Sequence, residues 1–145
     1  MNKRGQTQIS FGVIFSIILI ICFIAFAIYG INKFLEVNRL AQIGKFKSDF
    51  QADIDNMWKS TQGSQTLEYS IPNSIQQVCF ANGEFENMYF VPPDYDGSIL
   101  KNVNIQTTIK NSNTTPKQLC IASAKGKVSI TIKKAYNENL VTITK

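Results

Sequence analysis

The pattern of apolar positions singles out one stretch near the start of the chain. From Phe11 to Ile31 nearly every position is apolar, and no charged residue lies between Arg4 and Lys33. About 20 apolar residues cross the ~30 Å hydrocarbon core of a bilayer as a helix. A helix that is apolar on all sides needs a large protein to bury it, and this chain has only 145 residues. Residues 11–31 therefore predict a membrane-spanning helix.

After the span, the apolar period continues on one side only. Apolar residues recur at helical spacing with charged residues between them: Leu35, Leu40, Ile43, Phe46, Phe50, Ile54 and Met57. This period is typical of an amphipathic helix. No proline interrupts residues 7–71, so the sequence predicts one long helix over 6–60. Its stripe from Leu40 to Ile54 is expected to pack on a C-terminal domain.

Residues 61–145 have the pattern of a small β domain. Short runs rich in Ile, Val, Thr, Tyr and Phe alternate with turn formers. The predicted strands are 75–80, 88–91, 103–109, 119–124, 128–134 and 140–144. Lys125-Gly126 predicts a tight turn, and residues 136–139 a longer one. The predicted fold class is α+β: a long N-terminal helix, hydrophobic in its first half and amphipathic in its second, packed on a mostly antiparallel sheet of four to six strands.

The composition argues against an enzyme. The chain contains no histidine, which weakens Ser/His and Cys/His hydrolases and His-ligated metal sites, and no cofactor is expected. Asp94-Tyr95-Asp96-Gly97 is similar to the start of a calcium loop, and Glu84 and Glu86 could approach it. The complete loop pattern with its distal glutamate is missing, so an ordinary turn and no metal site are predicted.

The charges fall into two blocks. Residues 60–100 carry five acidic side chains and no Lys or Arg, a net charge of −5, whereas residues 101–145 carry eight lysines against Glu138, a net charge of +7. One interpretation is a solvated surface on which the signs mix once the strands interleave. A second is complementary contact between neighbouring copies, and a third, less favoured, is nucleic-acid binding by the lysine-rich strands.

Cysteines and a sequon indicate the compartment of the C-terminal domain. Cys79 and Cys120 form an even pair beyond the span, which suits one disulfide in an oxidising compartment, although two free thiols would give the same count. Asn113-Thr114-Thr115 matches an N-glycosylation acceptor, although such a triplet also occurs by chance. Together they predict that residues 61–145 lie outside the cytoplasm.

The residues ahead of the span carry a recognisable signal. A short basic leader, Lys3-Arg4-Gly5, precedes Gln6 and a polar uncharged stretch that runs into the apolar helix. This resembles the class III signal of archaeal type IV pilin-like proteins, which a prepilin peptidase cuts after the glycine. The resemblance implies a leader of residues 1–5 and cleavage between Gly5 and Gln6. It departs from many pilins at the fifth mature position, where Ser10 replaces a glutamate.

The resemblance also implies a function. The chain would be a structural subunit of a type IV pilus-like cell-surface filament, a helical homopolymer of its own copies built by a pilus assembly machinery, with membrane lipid around the helix before assembly. The helix-bundle core would consist of Phe11, Ile14, Phe15, Ile18, Leu19, Cys22, Phe23 and Phe26.

Other interpretations of the same residues stay open. A secretory signal cleaved near Ala25-Phe26-Ala27 would remove the span, and a plain signal-anchor would keep it without cleavage. In the latter case the protein is a single-pass surface or binding domain that does not polymerise. A minor pilin that primes assembly lies between the two functions.

Overall fold

A computed structural model gives the fold and describes residues 11–110 and 116–145. In chain order the elements are α1 (Phe11–Lys59), β1 (Gly63–Ser70), β2 (Gln77–Ala81), β3 (Met88–Val91), α2 (Ile105–Lys110), β4 (Gln118–Ala122), β5 (Lys127–Lys134) and β6 (Thr142–Thr144). The α+β class is confirmed, with a long apolar N-terminal helix followed by small antiparallel sheets.

The strands form two sheets rather than the predicted single one. Within the described residues each sheet has three antiparallel strands, in the orders β1-β5-β6 and β3-β2-β4. The predicted turn is present, since Lys125 and Gly126 have φ of 52° and 73°, as a tight hairpin turn requires. Ala124 and Lys127 bond to each other across it. Beyond that bridge the strands separate, because β4 pairs with β2 whereas β5 pairs with β1 and β6.

The chain divides into two compact units after Asn38, inside α1. In the first unit every described side chain, from Phe11 to Asn38, is exposed. The second unit, Arg39–Lys145, contains both sheets and the remainder of α1, and we call it the head.

The core of the head is formed by the amphipathic part of α1. Ile43, Phe46, Phe50, Ile54 and Met57 are its buried residues. The ring centroid of Phe50 lies 5.4 Å from that of Tyr69 in β1 and 5.9 Å from that of Phe80 in β2. The helix therefore packs on the strands of the head, as its apolar stripe predicted, but it contacts two sheets rather than the single one expected.

Leu40 was wrongly expected in this core. Its side chain is 55% exposed, whereas Ile43 is 5% exposed. Ile43 is the first buried residue of α1, so the apolar stripe begins before the part of the helix that is buried.

Two other elements differ from the prediction. Residues 103–109 were expected as a strand, but α2 begins at Ile105, where Asn104 caps it by accepting a hydrogen bond from the Thr107 amide (3.0 Å). The buried positions Ile105 and Ile109 fit both a helical and an alternating pattern. Strand β1 was not predicted, because Tyr69 is its only buried residue. Pairing with β5 along its whole length holds it in place.

Candidate functional site

Residues 11–31 of α1, which we call the apolar segment, form the most distinctive surface among the described residues. Among the described residues, α1 is the helix long and apolar enough to cross a membrane, although a signal sequence passes the same test of length and composition. Phe11, Phe23 and Phe26 are 82%, 70% and 74% exposed. Fully burying such a side chain contributes roughly 1.5–3 kcal/mol. The segment therefore requires an apolar environment, either lipid or other helices.

One hydroxyl in this segment, that of Ser16, is paired within the helix. In hydrocarbon every polar group needs a partner within the protein. The hydroxyl of Ser16 donates to the carbonyl of Gly12, one turn earlier (2.8 Å), so it enters an apolar phase without an unpaired donor. Charge returns only with Lys33, whose Nζ lies 2.8 Å from the Glu36 carboxylate in an exposed ion pair.

The residues expected in a helix-bundle core lie together on α1. Because their spacings alternate between three and one, they occupy one side of the helix. All of them are exposed in the single chain: Phe11, Ile14, Phe15, Ile18, Leu19, Cys22, Phe23 and Phe26. The remaining circumference of the segment is also largely apolar, so contact with lipid is open to every side.

Polar residues of α1 beside the buried stripe form hydrogen bonds with loops of the head. Nζ of Lys47 donates to the carbonyls of Asp96 (2.6 Å) and Gly97 (2.9 Å). The side-chain oxygen of Gln51 accepts from the Lys101 amide (2.9 Å). The Asp55 carboxylate accepts from Asn102 Nδ2 (2.9 Å). The sequence analysis missed this row, although its spacing of four residues marks one edge of a helix.

A tyrosine supplies a further link between α1 and β1. The Tyr69 hydroxyl donates to the Asp53 carboxylate (2.7 Å). Burial raises the pKa of Tyr69 well above its ordinary value, and the hydrogen bond and negative charge of Asp53 add to that effect. The phenol therefore remains protonated and keeps donating across the neutral range.

The disulfide predicted between Cys79 and Cys120 is present. Cys79 in β2 and Cys120 in β4 face each other in the strand register and form a disulfide, with Cα atoms 4.1 Å apart. Cys22 is a free, exposed cysteine in the apolar segment. The disulfide therefore joins neighbouring strands of one sheet, across a sequence separation of 41 residues.

The contacts above do not involve the predicted cleavage and glycosylation sites. Gly5, Gln6 and Asn113 lie outside the described residues. Within 11–110 and 116–145, no group of three or more His, Cys, Asp or Glu side chains is placed to hold a metal ion. The two charge blocks meet where Lys127 pairs with Glu68 across β5 and β1 (2.7 Å).

Comparison of the chain with protein-family models, with curated proteins and with solved structures finds no match.

Proposed function

We propose that this protein is a structural subunit of a type IV pilus-like cell-surface filament, assembled through the apolar segment of α1. One observation carries the proposal: a single helix, Phe11–Lys59, leaves its first part exposed and apolar while its second part forms the core of a head. Such a helix joins a domain that is complete in itself to a segment that needs partners.

The leader supplies the second support. Lys3-Arg4-Gly5-Gln6 immediately precedes the apolar helix, in the arrangement on which a prepilin peptidase acts. Cleavage after Gly5 would remove both leader charges and leave the apolar helix on the mature subunit. Copies could then move from the membrane into a helix bundle without carrying buried cations. In this proposal the heads form the exterior of the filament.

The disulfide agrees with an external head. Disulfides persist in oxidising compartments and are rare in the cytosol. With the N-terminus inside and the head outside, the chain would be a single-pass protein before assembly. The cell surface is therefore the proposed location both before and after polymerisation.

A second candidate is a membrane-anchored surface domain that does not polymerise. It is favoured by the scarcity of small residues in the segment, because helix pairs in membranes usually approach through Gly, Ala or Ser. Bulky side chains such as Phe15, Ile18 and Phe23 suit lipid as well as they suit a bundle. Cleavage of the leader distinguishes the two candidates, because a membrane anchor does not require it.

The test is to shear filaments from cells that express the chain and to determine the N-terminal mass of the recovered subunit. We expect filaments whose subunit begins at Gln6. A Gly5→Ile variant should keep the leader and stay in the membrane, whereas an Asn2→Gln control should be processed normally. Surface protein that still begins at Met1, with no filaments, would contradict the proposal and leave the anchored domain.

A further inference from the structure

The β2–β3 connection, residues 82–87, begins with the only Asn-Gly pair of the sequence, Asn82-Gly83. Asparagine is one of the residues that degrade chemically without an enzyme. The reaction starts when the backbone nitrogen of the next residue attacks the side-chain carbonyl carbon. A next residue without Cβ leaves this approach open. Asn82 is therefore the asparagine at which the attack meets the least steric hindrance.

The fold itself requires a glycine at position 83. A Cβ on Gly83 would lie 2.1 Å from the backbone carbonyl oxygen of Glu86, closer than a carbon atom and a carbonyl oxygen approach each other. Any other residue would have to displace that backbone. The close contact inside the connection thus places the least hindered amide directly after Asn82.

Water reaches both groups that take part in the reaction. Asn82 and Gly83 are exposed, as are residues 84–86. In the described part of the chain, the Asn82 side chain has no hydrogen-bond partner. The Gly83 amide donates to the Ala81 carbonyl (3.0 Å), a bond within one three-residue turn that has Asn82 at its centre. Breaking this exposed bond frees the nitrogen without opening the core of the head.

Asn87, at the other end of the connection, is held by two hydrogen bonds. Its Nδ2 donates to the Leu100 carbonyl (3.0 Å), and its Oδ1 accepts from the Leu100 amide (2.7 Å). The residue that follows it, Met88, is buried. The side chain of Asn87 would have to break both bonds to reach the Met88 nitrogen. One connection therefore contains a free asparagine and a fixed one.

A chemically similar pair in the segment after β3 is also fixed. Asp96-Gly97 can form the same ring by losing water instead of ammonia. The carbonyls of both residues accept from Lys47 Nζ (2.6 and 2.9 Å), and the backbone of Ser98 exchanges two hydrogen bonds with that of Met88 (2.8 and 3.1 Å). A carboxylate is also a poorer electrophile than a carboxamide. This pair is therefore expected to be far less reactive.

We propose that Asn82 is a site of spontaneous deamidation in the folded protein. The Gly83 nitrogen forms a bond to Cγ of Asn82 and loses its proton, the Cγ–Nδ2 bond breaks, and ammonia leaves. Water then opens the succinimide ring. Attack of water at Cγ gives aspartate, and attack at the backbone carbonyl carbon of residue 82 gives isoaspartate. Water is the only co-reactant, and the inference is independent of the proposed filament.

Both products change the connection. A negative charge appears close in sequence to Glu84 and Glu86, and isoaspartate also adds one carbon atom to the backbone directly after Ala81. The Ala81 amide donates to the Asn87 carbonyl (3.2 Å), a hydrogen bond that joins the two ends of the connection. Because ammonia is lost, the modified form accumulates with the age of each molecule.

Incubation of the folded full chain in detergent, in water enriched in oxygen-18, tests the site. Each deamidation during the incubation incorporates one heavy oxygen, and peptide mapping with fragmentation that separates aspartate from isoaspartate locates it. We expect both products at residue 82, formed at least about tenfold faster than any product at Asn87, and no label at Asp96. Asn82→Gln is the matched control and should lose nearly all of the label, because its longer side chain closes a larger ring.

A sample kept in denaturant separates the chemistry of the pair from the effect of the fold. Label at residue 82 in both the folded and the denatured chain supports the inference. Label there only in denaturant would show that the folded connection protects Asn82. Equal labelling of Asn82 and of Asn87 or Asp96 in the folded protein would show that the hydrogen bonds do not select the site. Either result, or no label at residue 82 in either sample, overturns the inference.

Discussion

Lys47 holds the irregular segment that follows β3 against α1. Its ammonium binds the carbonyls of Asp96 and Gly97 and lies 5.7 Å from the centroid of the Phe90 ring. The side chain thus links the apolar stripe of α1 to the irregular segment after β3. Hydrogen bonds from a charged group contribute roughly 1.5–3 kcal/mol each, and partial exposure reduces this.

Replacing this lysine should therefore destabilise the head. We expect Lys47→Met to lower the free energy of unfolding by about 1–2 kcal/mol, measured by denaturant unfolding of the full chain in detergent. Lys45→Met is the matched control, because Lys45 has only an exposed pair with Asp49 on the same helix (2.9 Å). Such pairs contribute about 0–0.5 kcal/mol. Equal losses in the two variants would show that the carbonyl contacts do not hold the loop.

Among the elements, β2 and β4 are joined by hydrogen bonds and by the Cys79–Cys120 disulfide. The chain between the two cysteines includes β3 and α2. Closing a loop of this length constrains the unfolded chain by about 4 kcal/mol on the chain-entropy model. That is a large part of the stability expected for a domain of this size.

Removing the disulfide should lower the unfolding free energy of the head by about 2–5 kcal/mol. The Cys79→Ala/Cys120→Ala variant tests this by thermal or denaturant unfolding. A reductant should destabilise the native protein and leave the variant unaffected, whereas Cys22→Ser should match the native protein. If thiol labelling of denatured, unreduced protein finds three reactive cysteines, the bridge is absent.

The sequence predicts an element correctly where the residues fit only one type of secondary structure. Alternation in residues 128–134 agrees with β5, and the apolar run 88–91 coincides with β3. Residues 103–109 were ambiguous, because Ile105 and Ile109 suit either a strand or a helix. The cap at Asn104 stabilises the helical alternative. The polar sequence of β1 does not predict a strand. Its pairing with β5 along its whole length stabilises it.

The candidate site was predictable to the same extent. The apolar segment and the cysteine pair follow from local composition and parity. The partners of Lys47 and Trp58 do not, because they lie 49 to 81 residues away along the chain and are backbone carbonyls. Carbonyls of loop residues have no signature in a sequence. Only the fold brings Glu86, in the β2–β3 connection, beside Gly97.

For the whole molecule, the apolar side chains exposed on the first part of α1 need an apolar environment. Lipid can provide it, and so can identical helices in a filament. The Leu, Ile, Phe and Val side chains of the span together favour membrane insertion by about 4–8 kcal/mol, whereas one lysine at its centre opposes insertion by about 2.5–3.5 kcal/mol. A single lysine in the span is therefore compatible with membrane insertion.

Ile18→Lys should consequently separate anchoring from assembly. The variant should still fractionate with membranes, because the other side chains outweigh one charge and lysine can extend toward the interface. Filaments should be lost, since each copy would bring an unpaired cation into the bundle. Val37→Lys places the same charge on an exposed position of α1 beyond Lys33 and serves as the control. Electron microscopy of sheared material, together with membrane fractionation, measures both effects. Abundant filaments from Ile18→Lys would mean that this side of α1 does not pack against other copies, and the anchored surface domain would then be the better account of the protein.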